Sequence, residues 1–131
     1  MPVIMYIISY CVSFSGLISR RFRGFHNIHE VMCSGETLSS DTDIFTMILY
    51  AVPQDTVVAF VNLKKQECYT SESFVSCNID HSDSRRSNLK TLVADLAEGQ
   101  TRVFGCNLTA VAARGRTQIY SWKLSVYQPS K

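Results

Sequence analysis

From about residue 43 to the C-terminus, short apolar runs rich in β-branched and aromatic residues are separated by polar turns. Such runs predict β-strands, here over Asp43–Tyr50, Thr56–Leu63 and Phe74–Ile79. The segment Leu89–Leu96 fits either a strand or a short helix, because its apolar residues also recur at helical spacing.

The last third of the chain alternates over two longer runs, Arg102–Val111 and Gln118–Tyr127, joined by the glycine turn Ala113–Arg116. This pattern predicts a β-hairpin. Two sets of residues are expected on the core face: Phe104, Cys106, Leu108 and Ala110 in the first strand, and Tyr120, Trp122, Leu124 and Val126 in the second. Strands at roughly ten-residue spacing, with no long helix, predict an all-β antiparallel sandwich or barrel.

The N-terminal segment is the most apolar part of the chain. Its centre, Val3–Phe14, has 12 residues, which is typical of a secretory signal peptide and too short for a transmembrane helix. Ser13 and Ser15 suit cleavage before Gly16, although the segment carries no Lys or Arg before its apolar centre. A buried N-terminal strand and a wrongly assigned start of a truncated domain are the alternatives. The leader is therefore assigned to residues 1–15 and a flank to residues 16–25.

Composition narrows the class of protein. The chain has 131 residues, of which 46% are hydrophobic and 18% charged, as expected for one globular domain and not for a disordered chain. A net charge of +2 is too small to indicate a nucleic-acid or membrane-surface partner. No apolar run reaches the roughly 18 residues of a membrane span. The chain contains no phosphate-binding glycine loop, catalytic motif or repeat, and no cofactor is expected.

The five cysteines of the chain indicate whether the protein resides in an oxidising or a reducing cellular compartment. Removal of Cys11 with the leader leaves four, Cys33, Cys68, Cys77 and Cys106, which fit two disulfides in an oxidising compartment. Four cysteines allow three pairings, and their spacing does not choose among them. The protein is therefore expected to be secreted or extracellular, and a reduced cytosolic protein is the alternative.

The chain resembles an immunoglobulin-superfamily domain in three features. They are Cys33 before the first clear strand, Cys106 in the terminal hairpin, and the sequence VFGCNLTAVAARGRTQIYSWKLSVY. The segment Asp95–Gly99 is similar to the turn that precedes such a hairpin. The resemblance covers residues 26–128, leaving residues 129–131 as a tail. Cys68, Cys77 and GCNLTA are also similar to immunoglobulin-like modules of invertebrate surface receptors and of fibrinogen-related immune lectins of snails.

The resemblance implies an immunoglobulin-like antiparallel β-sandwich of two sheets with Greek-key connections. It also implies an inter-sheet disulfide between Cys33 and Cys106, with Cys68 and Cys77 as an extra pair. The tryptophan that the family places on strand C is absent here, and Phe45 and Met47 are expected to fill its space.

Asn107-Leu108-Thr109 is the single N-x-S/T sequon of the chain. Because alternation turns Cys106 inward, Asn107 is expected to point outward, where a glycan can be attached without disturbing the core.

The predicted strands Asp43–Tyr50 and Thr56–Leu63, which correspond to strands C and C′ of an immunoglobulin sandwich, are apolar on both faces. If Phe45, Met47 and Leu49 face the core together with Val57, Ala59, Val61 and Leu63, the residues left outside are Ile44, Ile48, Tyr50, Val58 and Phe60, near Ile119. An exposed apolar patch of this kind predicts a protein-contact surface on the G-F-C-C′ sheet, and self-association is one form of such contact. A neighbouring domain or the N-terminal segment covering the same face is the alternative.

The sequence thus predicts a non-catalytic extracellular module for recognition, in adhesion or immunity, with a protein or glycan ligand. The hairpin tip Ala113–Arg116 and the loop Asp80–Arg86 are the loops best placed to touch a ligand, although their arginines also fit ordinary solvated charges. A spacer domain of a longer receptor or lectin is the second hypothesis. A third is an intracellular zinc-binding β-domain that uses some of six residues: His26, His29, Cys33, Cys68, Cys77 and His81.

Overall fold

The computed structural model describes residues 17–23, 28–52, 55–93, 96–111 and 115–127. The strands are β1 (Ile18–Arg23), β2 (Ile28–Ser34), β3 (Asp43–Val52), β4 (Thr56–Asn62), β5 (Glu67–Thr70), β6 (Val75–Asn78), β7 (Asn88–Val93), β8 (Thr101–Val111) and β9 (Thr117–Tyr127). A short 3-10 helix, Ser84–Arg86, lies between β6 and β7. Within these ranges the chain holds no helix of the length and apolar character that crossing a membrane requires.

The strands form two antiparallel sheets, a four-stranded one in the order β1-β2-β7-β6 and a five-stranded one in the order β5-β4-β3-β8-β9. When β1 to β9 are lettered A, B, C, C′, C″, D, E, F and G, these orders read A-B-E-D and C″-C′-C-F-G. That is the strand arrangement of a variable-type immunoglobulin sandwich. The prediction of an all-β sandwich with two antiparallel sheets is confirmed.

The core lies between the two sheets, where alternate residues of each strand point inward. Val31, Cys33 and Leu89 line it from the four-stranded sheet, and Met47 and Leu108 line it from the five-stranded sheet; all five are fully buried. A disulfide joins Cys33 of β2 to Cys106 of β8 with a Cα–Cα distance of 5.6 Å, so it connects the two sheets through the centre of the core.

Within the ambiguous segment Leu89–Leu96, residues 89–93 belong to strand β7. Leu89, Thr91 and Val93 point into the core, while Leu92 is on the opposite face, which is incompatible with one helical stripe. β7 pairs with β2 on one side and β6 on the other, so its backbone N–H and C=O groups form hydrogen bonds with a neighbouring strand on both sides. Residues 18–23, which the sequence analysis assigns to the flank, form β1 and pair with β2.

Two predictions about the outer face are wrong, because one irregular pairing interrupts the alternation of β3 and a second interrupts the alternation of β4. The first lies between Ile44 and Thr46, which pair with the consecutive residues Ala110 and Thr109 of β8. The extra residue in β3 shifts the phase of the strand, so Ile44 is 0% exposed and not on the outer face. Phe45 is half-buried beneath the Lys64 ammonium, 4.7 Å from its ring centre.

The second irregularity lies between Leu49 and Tyr50, which pair with Ala59 and Val57 of β4. Val58 is the extra residue on β4; it packs against the core and is not on the outer face, contrary to prediction. Val57, predicted to be inside, is instead 39% exposed. Trp122, predicted on the core face, is paired with the buried Cys106 and so lies on the inward side of the sheet, but it belongs to the edge strand β9 and is 41% exposed.

Candidate functional site

The outer face of the five-stranded sheet is the face turned away from the core, and one row of residues crosses it from edge to edge. In register order the row is Tyr69, Phe60, Ile48, Asn107 and Ser121, one residue from each strand. Side chains opposite one another on adjacent strands lie about 5 Å apart, so neighbours in this row are in contact range.

A second row lies beside the first. Val57, Tyr50, Gly105 and Lys123 face one another across β4, β3, β8 and β9. A Cβ added to Gly105 would overlap the ring of Tyr50, which shows that this ring lies flat over the glycine backbone. The Tyr50 ring can therefore occupy this position on the outer face only because residue 105 has no side chain.

The two rows divide the outer face into an apolar half and a polar half. The apolar half, on β3, β4 and β5, consists of Ile48, Tyr50, Val57, Phe60 and Tyr69, and we call these five residues the apolar cluster. Tyr69 is 55% exposed, and none of the five carries a charge. The polar half, on β8 and β9, holds Asn107, Thr109, Ser121, Lys123 and Ser125, with the exposed Ile119 beside Thr109.

The predicted surface residues fall in different places. Ile48, Tyr50 and Phe60 belong to the apolar cluster, whereas Ile44 and Val58 do not reach the outer face. Ile119 is 74% exposed but lies in a third row beside Thr109, apart from the cluster. Sequence reasoning missed Tyr69 and Val57. The alternation in Glu67–Thr70 was the available signal for Tyr69, while Val57 depends on the irregular pairing of β4.

Asn107 occupies the boundary between the two halves. It pairs with Ile48 of β3 on one side and Ser121 of β9 on the other, and the Ser121 hydroxyl donates a hydrogen bond to its Oδ1 over 2.6 Å. The adjacent Leu108 is fully buried, so Asn107 and Thr109 both point outward from the same strand.

A separate polar cluster lies at the end of the sandwich that contains the β2–β3, β4–β5 and β6–β7 loops. Lys64 Nζ contacts Asp43 Oδ2 at 2.5 Å, and the Ser84 hydroxyl donates to Asp43 Oδ1 over 3.0 Å. The Lys64 hydrogen bond, aided by that of Ser84 and opposed by slight burial, holds the pKa of Asp43 below its usual value. Asp43 is therefore a charged, hydrogen-bonded anchor for these loops and is poorly suited to act as a general acid near neutral pH.

The loop arginines differ in how much they are free to meet a ligand. Arg85 donates to Asp83 at 2.9 Å and to the Leu38 carbonyl at 3.1 Å, so it ties the β6–β7 loop to the β2–β3 loop. The same arginine holds the pKa of Asp83 below its usual value, mainly through its side-chain hydrogen bond. Arg86 and Arg116 are exposed, and Arg114 lies outside the described residues.

The cysteine and histidine positions do not form the ligand set of the zinc hypothesis. Cys33 is bonded to Cys106 and Cys68 to Cys77, so these sulfurs are not thiolate ligands. His29 is fully buried in β2, His81 is hydrogen-bonded to Gln66, and His26 lies outside the described residues. Across the described ranges, no three His, Cys, Asp or Glu side chains lie close enough together to hold a metal ion.

Cys68 of β5 and Cys77 of β6 join the edges of the two sheets, with a Cα–Cα distance of 6.6 Å. Two disulfides in one small chain are compatible with an extracellular location. Comparisons with protein-family models and with curated protein sequences find no match to this chain.

Proposed function

We propose that this protein is an immunoglobulin-like binding module that works outside the cytosol, without catalysis, and makes protein contacts through the apolar cluster. The single observation that carries the proposal is the cluster itself: five uncharged side chains, two of them tyrosines and one a phenylalanine, contiguous on an open sheet face. Exposed contiguous apolar surface is uncommon on monomeric soluble domains and marks interaction sites.

The composition of the cluster suits a protein partner. Tyr and Phe are enriched in protein interfaces, where they bury much area at low entropic cost, while Lys and Glu are depleted. The nearest charges, Glu67 and Lys123, belong to neighbouring positions at its margin and resemble the polar rim of an interface. A glycan ligand would call for more hydrogen-bonding groups among these side chains.

A second copy of this chain is the partner that the charge pattern favours. Two apolar clusters brought face to face meet without like-charge repulsion, because the cluster contains no Asp, Glu, Lys or Arg. The net charge of +2 adds little long-range repulsion between copies.

The strand order and the Cys33–Cys106 bond through the core support membership of the immunoglobulin superfamily. Secretion is supported by the two disulfides and by the apolar leader, which falls on residues outside those described. Roles in adhesion or immune recognition follow from the resemblance alone.

In the spacer hypothesis, a neighbouring domain of a longer receptor or lectin packs on the same cluster. The cluster is then buried within one chain and does not bind a separate molecule. The zinc hypothesis has no support from the four cysteines, because all of them are bonded in disulfides.

The test compares the double variant Ile48→Asp with Phe60→Asp against Ile119→Asp, a matched exposed apolar residue on the same face but outside the apolar cluster. Buried charges without partners weaken an interface strongly, so we expect self-association of the wild type to be lost in the double variant and kept in the control. Sedimentation velocity over a concentration series measures it, and urea unfolding verifies that each variant is folded. A monomeric wild type, or a folded double variant that still associates, would exclude this contact.

A further inference from the structure

The sequon Asn107-Leu108-Thr109 of β8 lies next to the apolar cluster on the outer face. Asn107 is the neighbour of Ile48 in the row that crosses the outer face, and Thr109 is the neighbour of Thr46 and Ile119 in the next row. Both polar members of the sequon are only partly buried, whereas Leu108 between them is 0% exposed. The strand thus presents the acceptor Asn and its required hydroxyl on one open face while its apolar member anchors the core.

The hydrogen bond to Ser121 sets the direction of the Asn107 amide. Its oxygen is turned toward β9, where it accepts the Ser121 hydroxyl at 2.6 Å. Because the oxygen and nitrogen of an amide diverge from the same carbon, Nδ2 is directed away from the Ser121 hydroxyl of β9. We therefore expect a group attached to Nδ2 to extend toward β3, where Ile48 is the neighbour of Asn107.

We propose that Asn107 carries an Asn-linked oligosaccharide whose innermost sugar covers Ile48 and so forms one border of the apolar cluster. In the transfer, the bond between sugar C1 and the phosphate oxygen of a lipid pyrophosphate-linked oligosaccharide breaks and the C1–Nδ2 bond forms. Nδ2 loses one proton, and the lipid pyrophosphate leaves. This proposal rests on the proposed function, since it assigns a border to the same contact surface.

Strand spacing determines how much of the cluster the glycan covers. Adjacent strands lie about 4.8 Å apart, which is comparable to the width of one sugar ring. Ile48 is one spacing from Asn107, Phe60 is two and Tyr69 is three. The innermost sugar covers Ile48, while Tyr69 and the β5 edge stay open to a partner.

The test uses the full chain secreted from cultured eukaryotic cells, in four forms: wild type, Asn107→Gln, Thr109→Ala and Thr109→Ser. Asn107→Gln and Thr109→Ala remove the sequon by different changes, and Thr109→Ser retains it as the matched control. Mass spectrometry of the Asn107 peptide reports the glycan, and sedimentation velocity reports self-association. Urea unfolding verifies that each form is folded.

We expect glycan on the wild type and on Thr109→Ser. Both sequon-deficient variants should self-associate about tenfold more tightly, because one further aliphatic side chain joins the contact. A wild type without glycan at Asn107 overturns the proposal, whatever its association. Glycan whose removal leaves self-association unchanged also overturns it. The contact surface itself is judged separately by the Ile48 and Phe60 variants.

Discussion

At the scale of single residues, the Asp43 side chain connects several loops through hydrogen bonds. Its carboxylate accepts from Lys64 and Ser84, and the Ser84 hydroxyl in turn accepts the Ile44 backbone N–H over 2.9 Å. Asp43 thereby links the start of β3 to the β4–β5 turn and to the 3-10 helix. None of these partners is visible from the local pattern around residue 43, because they lie far from it along the chain.

This arrangement predicts a pH effect. The pKa of Asp43 is lower in the folded state than in the unfolded chain, so its contribution to stability is present above about pH 4 and is lost as the pH falls through the folded-state pKa. Asp43→Asn should therefore lose less stability than the wild type when the pH is lowered below about 4. The difference should stay below about 1 kcal/mol, because both partners are half exposed.

Urea unfolding at neutral pH and near pH 3 measures this difference. Asp55→Asn, the same substitution at an exposed loop residue, is the control. Equal pH dependence in Asp43→Asn and the wild type would contradict the assigned role.

At the scale of elements, register decides which side chains meet. Alternation in β8 was read correctly from the sequence, and its inward residues Phe104, Cys106, Leu108 and Ala110 are all buried. Alternation in β3 and β4 was read correctly at Met47, Leu49, Ala59 and Val61 and failed at Ile44, Phe45, Val57 and Val58. The failures coincide with the two irregular pairings, which depend on how β4 and β8 dock on β3.

The pair of Gly105 in β8 and Tyr50 in β3 gives an element-scale prediction. Gly105→Ala should cost about 1–3 kcal/mol, because the new methyl group meets the Tyr50 ring. In a Tyr50→Ala background the same change should be neutral or stabilising by up to about 1 kcal/mol, since alanine suits a strand better than glycine.

A double-mutant cycle followed by urea unfolding measures the coupling between residues 50 and 105. If Gly105→Ala had the same cost in both backgrounds, the Tyr50 ring would not be the cause of the destabilisation.

At the scale of the whole molecule, the two disulfides differ in what they join. Cys33–Cys106 closes a loop with a sequence separation of 73 and crosses the core, whereas Cys68–Cys77 closes one of 9 at the sheet edges. In the chain-entropy model, longer loops give greater stabilisation, because closing them removes more freedom from the unfolded chain.

Replacing Cys33 and Cys106 by Ala should therefore cost about 4 kcal/mol, and replacing Cys68 and Cys77 by Ala about 2–3 kcal/mol. The first loss is a large part of the roughly 5–15 kcal/mol typical of a domain. Urea unfolding of the two double variants measures both costs. The reverse order of the two costs would show that local packing, and not loop closure, dominates.

The sequence by itself determined the class of the fold and the long strands, because period-two alternation is a local property that one face of a sheet imposes directly on the chain. It also marked Asn107 as an outward residue, since a buried neighbour on either side leaves only that direction. Only the tertiary structure decided the phase of β3 and β4, the strand character of residues 88–93 and the division of the outer face into apolar and polar halves. These features depend on contacts between segments far apart in the chain, and a one-residue shift in pairing moves a side chain from the core to the surface.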